Sequence, residues 1–360
     1  MKIKRFIDCL IPVTTCNFRC HYCYITHNRM FSAKLPTWKY TPEQMGQALS
    51  VNRLGGVCLF NFCGGGETLL PPEMPELIRQ VLLQGHYIMV VTNGSVSPRF
   101  DEICSFDPAL LKRLFFKFSF HYEQLTTKKR LDTFLDNVQK VRDAGCSCTI
   151  ELTPHDEMIP LIGEIQQVCM ERLGALCHIT VTRNEKVSDF PLLTELPPEE
   201  FKKAWQVFDS KLFDFKYSVF SQKRSEFCYA GDWSAYLDFD SGTLRQCYRG
   251  KRLVKDLFAH PHARIPWSAI GRHCYNGHCF NAHAFLTLGV IPELQTPAFA
   301  EMRDRTCSDG SHWLSDDMRE FFSSKLCESN REYSSWRKAQ VEITYRSRRF
   351  ARTCLNLLKK

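Results

Sequence analysis

A chain of 360 residues, 44% of them hydrophobic, is long enough to bury a sizeable core and has an ordinary globular composition. No stretch reaches the ~18 apolar residues a bilayer span needs. The basic start Met1-Lys2-Ile3-Lys4-Arg5 leads into a short apolar run broken by Asp8, so no signal peptide is expected and a cytoplasmic location is. The net charge of +8 is uneven: residues 331–360 hold nine Lys and Arg (Arg331, Arg337, Lys338, Arg346, Arg348, Arg349, Arg352, Lys359, Lys360) against Glu332 and Glu342, or +7.

The first 210 residues repeat a strand–helix unit. Apolar runs at 6–13, 57–62, 87–91, 115–120, 148–152 and 178–181 read as strands. Helical patterns lie between and after them, at 42–51, 72–84, 108–113, 128–144, 159–173 and 197–210. Thr41-Pro42-Glu43-Gln44 is a helix start with a cap, a proline at N1 and a capping-box partner. Six such units predict a parallel sheet with helices outside, in which the chemistry sits at the C-terminal strand ends.

The most informative motif follows the first strand. Cys16, Cys20 and Cys23 stand as C-x3-C-x2-C. Three soft thiolates on one loop suit an iron–sulfur cluster with one iron left open, and a zinc knuckle completed by His21 or His27 is the alternative. Cys63-Gly64-Gly65-Gly66-Glu67 follows the second strand. A glycine run there lets a ligand approach the backbone, and Glu67 offers a carboxylate for an ammonium group. The third strand runs into Thr92-Asn93-Gly94.

In this order the motifs resemble the radical SAM superfamily, whose members cleave S-adenosylmethionine reductively. The resemblance implies an open, partial (β/α)6 TIM-type barrel. It implies that Cys16, Cys20 and Cys23 hold three irons of a 4Fe-4S cluster whose fourth iron binds the amino and carboxylate groups of S-adenosylmethionine. Gly64, Gly65, Gly66 and Glu67 match the turn that takes the methionine amino group, and Tyr22 matches an aromatic position near the adenine. Asn93 is a polar group facing the pocket, and the ribose position falls around Ser119 and His121.

Beyond residue 215 the pattern changes. Residues 217–220 read as a further strand, and the alternation of Ala235, Leu237 and Phe239 before Asp240-Ser241-Gly242 predicts a hairpin that brings Cys228 and Cys247 together. Cys274 and Cys279 complete a four-thiol set, and zinc suits four sulfurs as well as a cluster does. The segment resembles the SPASM and twitch extensions of radical SAM enzymes, which implies one auxiliary 4Fe-4S cluster held by Cys228, Cys247, Cys274 and Cys279. Three parts are expected: the barrel over 1–212, an auxiliary-cluster domain over 213–290 and a helical basic segment over 291–360.

Cys58, Cys146, Cys148, Cys169 and Cys177 sit in apolar contexts and read as buried thiols. In the last segment, helical spacing at 318–326 and 336–345 leaves two readings of the basic tail. It meets an anionic partner, or it packs on the barrel through Trp336, Val341, Ile343, Tyr345 and Phe350.

What the resemblance implies for activity is a 5′-deoxyadenosyl radical that abstracts hydrogen, with the auxiliary cluster accepting the remaining electron in a two-electron oxidation. His155 and Arg183, after strand ends, are candidates for a base and an anion clamp. The first cluster motif begins at Cys16, which favours a small-molecule, sugar or glycoconjugate substrate. A peptide-modifying enzyme and a non-catalytic iron–sulfur or zinc protein are the alternatives. A flavodoxin or ferredoxin-type reductant and an anaerobic setting complete the expectation.

Overall fold

The structure, a computed structural model, describes residues 1–357 except 273, 275, 277, 278 and 280; the side chains of 346 and 348–357 also lie outside what it describes. One sheet organises the chain. Strands β1 (Arg5–Ile11), β2 (Cys58–Gly64), β3 (Tyr87–Thr92), β4 (Leu114–Phe120), β5 (Ser147–Leu152) and β6 (His178–Ile179) are parallel neighbours in chain order. The helices expected between them are present, among them Pro42–Ala48 with its capping box at Thr41 and Gln44, Met74–Leu83, Leu131–Asp143 and Ile162–Leu173. An additional helix, Ser97–Cys104, precedes the expected one at Pro108–Leu111.

The sheet does not stop at β1. β7 (Ser234–Asp238) pairs parallel with β1 on its free side, and β8 (Leu244–Arg245) and β9 (Arg252–Val254) extend it antiparallel. The order is β6-β5-β4-β3-β2-β1-β7-β8-β9, an open sheet of the partial-barrel kind. The predicted hairpin is therefore real, but it continues the barrel sheet. Residues 217–220 are not a strand: helix Lys211–Ser218, capped where Ser210 Oγ accepts from Phe213 N at 3.3 Å, crosses the expected boundary at 212. The aromatic run Tyr217–Phe220 carries β propensity, which the cap and the buried Leu212 and Phe213 outweigh.

Period-2 alternation assigns the two faces. Ile7, Phe60, Val90, Phe116, Phe118 and Ile150 belong to the layer between sheet and helices. On the other face, the strand starts carry Phe6, Leu59, Tyr87 and Phe115, and residues from near the C-terminus cover them. Tyr87 stacks on Phe321 with centroids 3.6 Å apart, Phe115 meets Phe322 edge-on at 5.0 Å, and Phe6 meets Phe285 at 5.2 Å. Two positions further along β1, β2 and β4 this face turns polar, with Asp8, Asn61 and Lys117, and Ser119 and Glu151 follow on β4 and β5, while β3 keeps Met89. The C-terminal part thus closes the floor of the barrel, and its polar upper half is left for chemistry. Cys58, Cys146, Cys148, Cys169 and Cys177 are buried as expected.

Helix Asp316–Ser323 and the long helix Ser335–Leu357 fall where periodicity placed them. Two expected packing residues of the tail do not pack: Trp336 is 71% and Ile343 63% exposed. Val341 is half-buried as expected, and further contact runs through Arg337 over the Tyr333 ring at 3.9 Å and through Glu342, which accepts from Arg272 N at 3.0 Å. Phe350 lies outside the described side chains, and Lys359 and Lys360 outside the described residues. No helix among the described residues is long and apolar enough to cross a membrane.

Candidate active site

The loop between β1 and the one-turn helix Tyr24–His27 carries the first three cysteines. Cys23 N donates to Cys20 O at 3.2 Å, Thr26 Oγ1 donates to Cys20 O at 2.7 Å, and Phe18 N donates to Cys16 Sγ at 3.4 Å. Burial pushes the Cys16 thiol up to about 11 and the Cys20 thiol to about 12, and raises Cys23 as well. Thiols this reluctant to ionise become thiolates by gaining a metal.

The three thiols share one cavity of about 90 Å³ with Gly64, Gly65, Gly66, Glu67, Asn93, Ser119 and His121. A single zinc ion would hold its sulfurs about 3.8 Å apart, from tetrahedral bonds of about 2.3 Å. Among the described residues, the one group of three metal-binding side chains with ligand atoms all within 4.8 Å is His21, His155 and Glu157, which contains no cysteine. Among the described residues the three thiols are not drawn together as a preformed single-ion site.

The glycine turn also packs closely against the cysteine loop. Gly66 N donates to Val13 O at 2.6 Å and Glu67 N donates to Thr15 O at 3.0 Å. A side chain on Gly66 would overlap the Thr15 carbonyl, and one on Gly64 would overlap Val13. The close neighbour that demands glycine is the chain leading into Cys16. Glu67 is buried and its carboxylate is occupied: it accepts from Thr92 Oγ1 at 2.6 Å, Asn93 N at 2.7 Å and Leu69 N at 3.0 Å. It ties the turn to the end of β3 while lining the cavity of the three thiols. The Asn93 side chain holds the cysteine loop, donating to Asn17 Oδ1 at 2.8 Å.

Tyr22 faces a second, adjoining cavity of about 320 Å³, which shares Cys23 and His121 with the first. Tyr22 Oη lies 2.7 Å from His121 Nδ1, and burial holds His121 down at about 4, so it is neutral at pH 7. Arg183 lines this cavity, paired with Glu185 at 2.9 Å. His155 does not line it; it is buried behind Tyr22, ring centroids 4.8 Å apart, with Nδ1 3.1 Å from Glu157.

The second cysteine set is assembled from distant segments. Cys228 bridges to Gly271, Cys247 follows β8, and Cys274 and Cys279 lie on the next loop. Burial raises Cys228 and pushes Cys279 up to about 12, and the neighbouring thiols of the set add to both shifts, which places all four in one electrostatic neighbourhood. Cys279 lines the 320 Å³ cavity, while Cys247 and Cys274 line a groove of about 900 Å³ against helix Ser335–Leu357.

Sequence reasoning passed over what fixes this set to the barrel. Asp8 Oδ1 accepts from Asn61 Nδ2 at 2.7 Å, and Oδ2 accepts from Tyr248 Oη at 2.6 Å and Asn281 Nδ2 at 2.7 Å. Tyr248 and Asn281 follow Cys247 and Cys279 by one and two residues. The signal was present: an aspartate inside Arg5-Phe6-Ile7-Asp8-Cys9-Leu10-Ile11 needs partners to be buried. Lys117, in the apolar run of β4, is a signal of the same kind.

A family model described as Radical SAM superfamily matches residues 10–158. No curated protein sequence matches the chain. Among solved structures, Streptococcus suis SuiB bound to S-adenosylmethionine is 11% identical, with a TM-score of 0.49 over 73% of this chain and 66% of that one. Native anSMEcpe with bound AdoMet and Cp18Cys peptide is 14% identical, with a TM-score of 0.42 over 98% of this chain and 99% of that one. The chain thus spans slightly less than two thirds of the SuiB chain. With the cysteine loop, the glycine turn and the parallel strands that carry them, the matched region, residues 10–158, belongs to the radical SAM superfamily.

Proposed function

We propose that the chain is a radical S-adenosylmethionine enzyme that oxidises a small-molecule, sugar or glycoconjugate substrate. The observation that carries this reading is the single cavity in which Cys16, Cys20 and Cys23 meet Gly64–Gly66, Asn93, Ser119 and His121. The cysteines would hold a 4Fe-4S cluster, and the turn and the ends of β3 and β4 would hold S-adenosylmethionine, with Tyr22 on the adenine side. When bound, this pair supplies a 5′-deoxyadenosyl radical able to take a hydrogen atom from a substrate.

The protein's own part is binding, orientation and exclusion of water. Glu67 fixes the turn against β3, and neutral His121 fixes the Tyr22 hydroxyl. His155 acts as a positioning residue behind Tyr22, and Arg183 with Glu185 orients the substrate. Cys228, Cys247, Cys274 and Cys279 would hold an auxiliary 4Fe-4S cluster. Such a cluster would supply an electron acceptor, so that a substrate losing one hydrogen atom, one electron and one proton would undergo a two-electron oxidation. A flavodoxin or ferredoxin-type reductant supplies the electron for cofactor cleavage, in an anaerobic cytoplasm.

The test is anaerobic reconstitution followed by chemical reduction. Wild-type protein is expected to release 5′-deoxyadenosine slowly without substrate, and the Cys16→Ala, Cys20→Ala, Cys23→Ala variant to release none. An intact, reduced cluster that leaves S-adenosylmethionine uncleaved overturns the reading.

A further inference from the structure

The cavity walled by both Cys23 and Cys279 carries more positive charge than its own acids balance. Of about 320 Å³, it is lined by Lys117, Arg183 and Lys216 and by one carboxylate, Glu185. Glu185 is spent on Arg183 at 2.9 Å. Lys117 Nζ reaches Glu151 at 3.1 Å behind the wall, but the other oxygen of Glu151 is taken by Arg303, whose side chain is 0% exposed. One carboxylate thus serves two cations. Lys216 Nζ donates to Thr180 Oγ1, and among the described residues no carboxylate pairs with it. Asp8, the next acid along the inner face, is hydrogen-bonded by the neutral groups of Asn61, Tyr248 and Asn281 and adds one further negative charge near Lys117.

Three lining cations and Arg303 behind them face three carboxylates, Glu185, Glu151 and Asp8, which leaves the site with excess positive charge. Such an excess is costly unless an anion completes it. We infer that Lys216 and Lys117 seat an anionic group of the substrate, a carboxylate or a phosphate, in the cavity between the two cysteine sites. The inference takes the word substrate from the radical SAM reading, but the charge imbalance stands without it.

The electrostatics of the lysines agree. Burial first, then Lys117 and Arg183, pull Lys216 well below the ordinary lysine value, and burial with Arg303 brings Lys117 to about 8. Burial and the same cations lower His283 on the opposite wall. A bound anion reverses the mutual repulsion and holds both lysines charged. Ammonium groups act as point charges and suit either anion, and the volume sits at the small end of ligand pockets, the size of one sugar unit.

The experiment is calorimetric titration of the anaerobically reconstituted full-length protein, with S-adenosylmethionine present, using D-glucuronate, glucose 1-phosphate, inorganic phosphate and uncharged glucose. Saturable binding of at least one anion is expected, and none of glucose. Glucuronate alone assigns a carboxylate, and the phosphates alone a phosphate. Lys216→Met and Lys216→Gln, both checked for folding by circular dichroism, are expected to weaken it by about tenfold to a hundredfold, the scale of one charge-assisted hydrogen bond. Lys203→Met, on an exposed helix face, should leave it unchanged. No anion binding to the wild type, or equal binding by both Lys216 variants, overturns the inference. Cofactor cleavage is followed in the same wild-type samples. Cleavage without anion binding defeats the cation seat alone, and anion binding without cleavage defeats the radical reading alone.

Discussion

The two cysteine sites are built by opposite strategies. The first takes its three thiols from eight consecutive residues, and the turn beside it lies one strand away. The second gathers thiols from Cys228 to Cys279, and Asp8 at the other end of the chain holds two of its segments in place. A loop-encoded site needs little of the fold to exist. A site assembled by tertiary contacts inherits every weakness of those contacts.

The sharpest break of this comparison is removal of the first triad. With two four-iron clusters, reconstituted wild-type protein should hold about eight irons, and Cys16→Ala, Cys20→Ala, Cys23→Ala about four, with cleavage of S-adenosylmethionine abolished. Zinc in the remaining site, measured by plasma mass spectrometry, would reject an auxiliary cluster there.

Asp8→Ala should separate the sites by indirect means. It removes the acceptor of buried Asn61 and of half-buried Tyr248 and Asn281, so a loss of about 2–3 kcal/mol in stability is expected, with iron lost first from the second site. Equal loss of iron from both, read by electron paramagnetic resonance, would mean that Asp8 serves the barrel as a whole.

Glu67→Ala tests the first site from within. Because the carboxylate already serves Thr92, Asn93 and Leu69, the variant should lower the melting temperature without any cofactor, by about 2–4 °C for each 1 kcal/mol lost. It should also weaken S-adenosylmethionine binding about tenfold. An unchanged melting temperature with weakened binding would return Glu67 to the role of direct ammonium ligand.

The smallest effects lie in the tail. Truncation after residue 334 removes the contacts of Arg337 and Glu342 and should cost about 1–2 kcal/mol together with iron from the second site. Trp336→Ala should stay within about 0.5 kcal/mol, since that ring is exposed. A truncated protein of unchanged stability that loses a salt-sensitive partner would favour an anionic ligand for the tail.

The residues that line the first cavity were largely legible, because a contiguous cysteine motif, a glycine turn and alternating strands are all local signals. What the sequence left open was direction of contact. Gly64 and Gly66 are small because Val13 and Thr15 pass close by, and a sequence does not say which backbone approaches a glycine. The second group was legible as a set of cysteines, but its anchor was not, since the pairing of Asp8 with Asn281 spans most of the chain. Lys216 was hidden for another reason: aromatic residues after it imitated a strand, and the serine cap that starts its helix lies six residues upstream.

The covered barrel floor has a consequence for synthesis. Ile3 N donates to Ser324 Oγ across 321 residues, and the floor aromatics Phe6 and Tyr87 meet Phe285 and Phe321. At ~5–20 residues per second a ribosome needs roughly 15–60 s to deliver those partners after the first strand has emerged. Through that interval the nascent barrel shows an uncovered aromatic face, a standing target for chaperones. The first strand is therefore sealed only once residues 285–324 have been made.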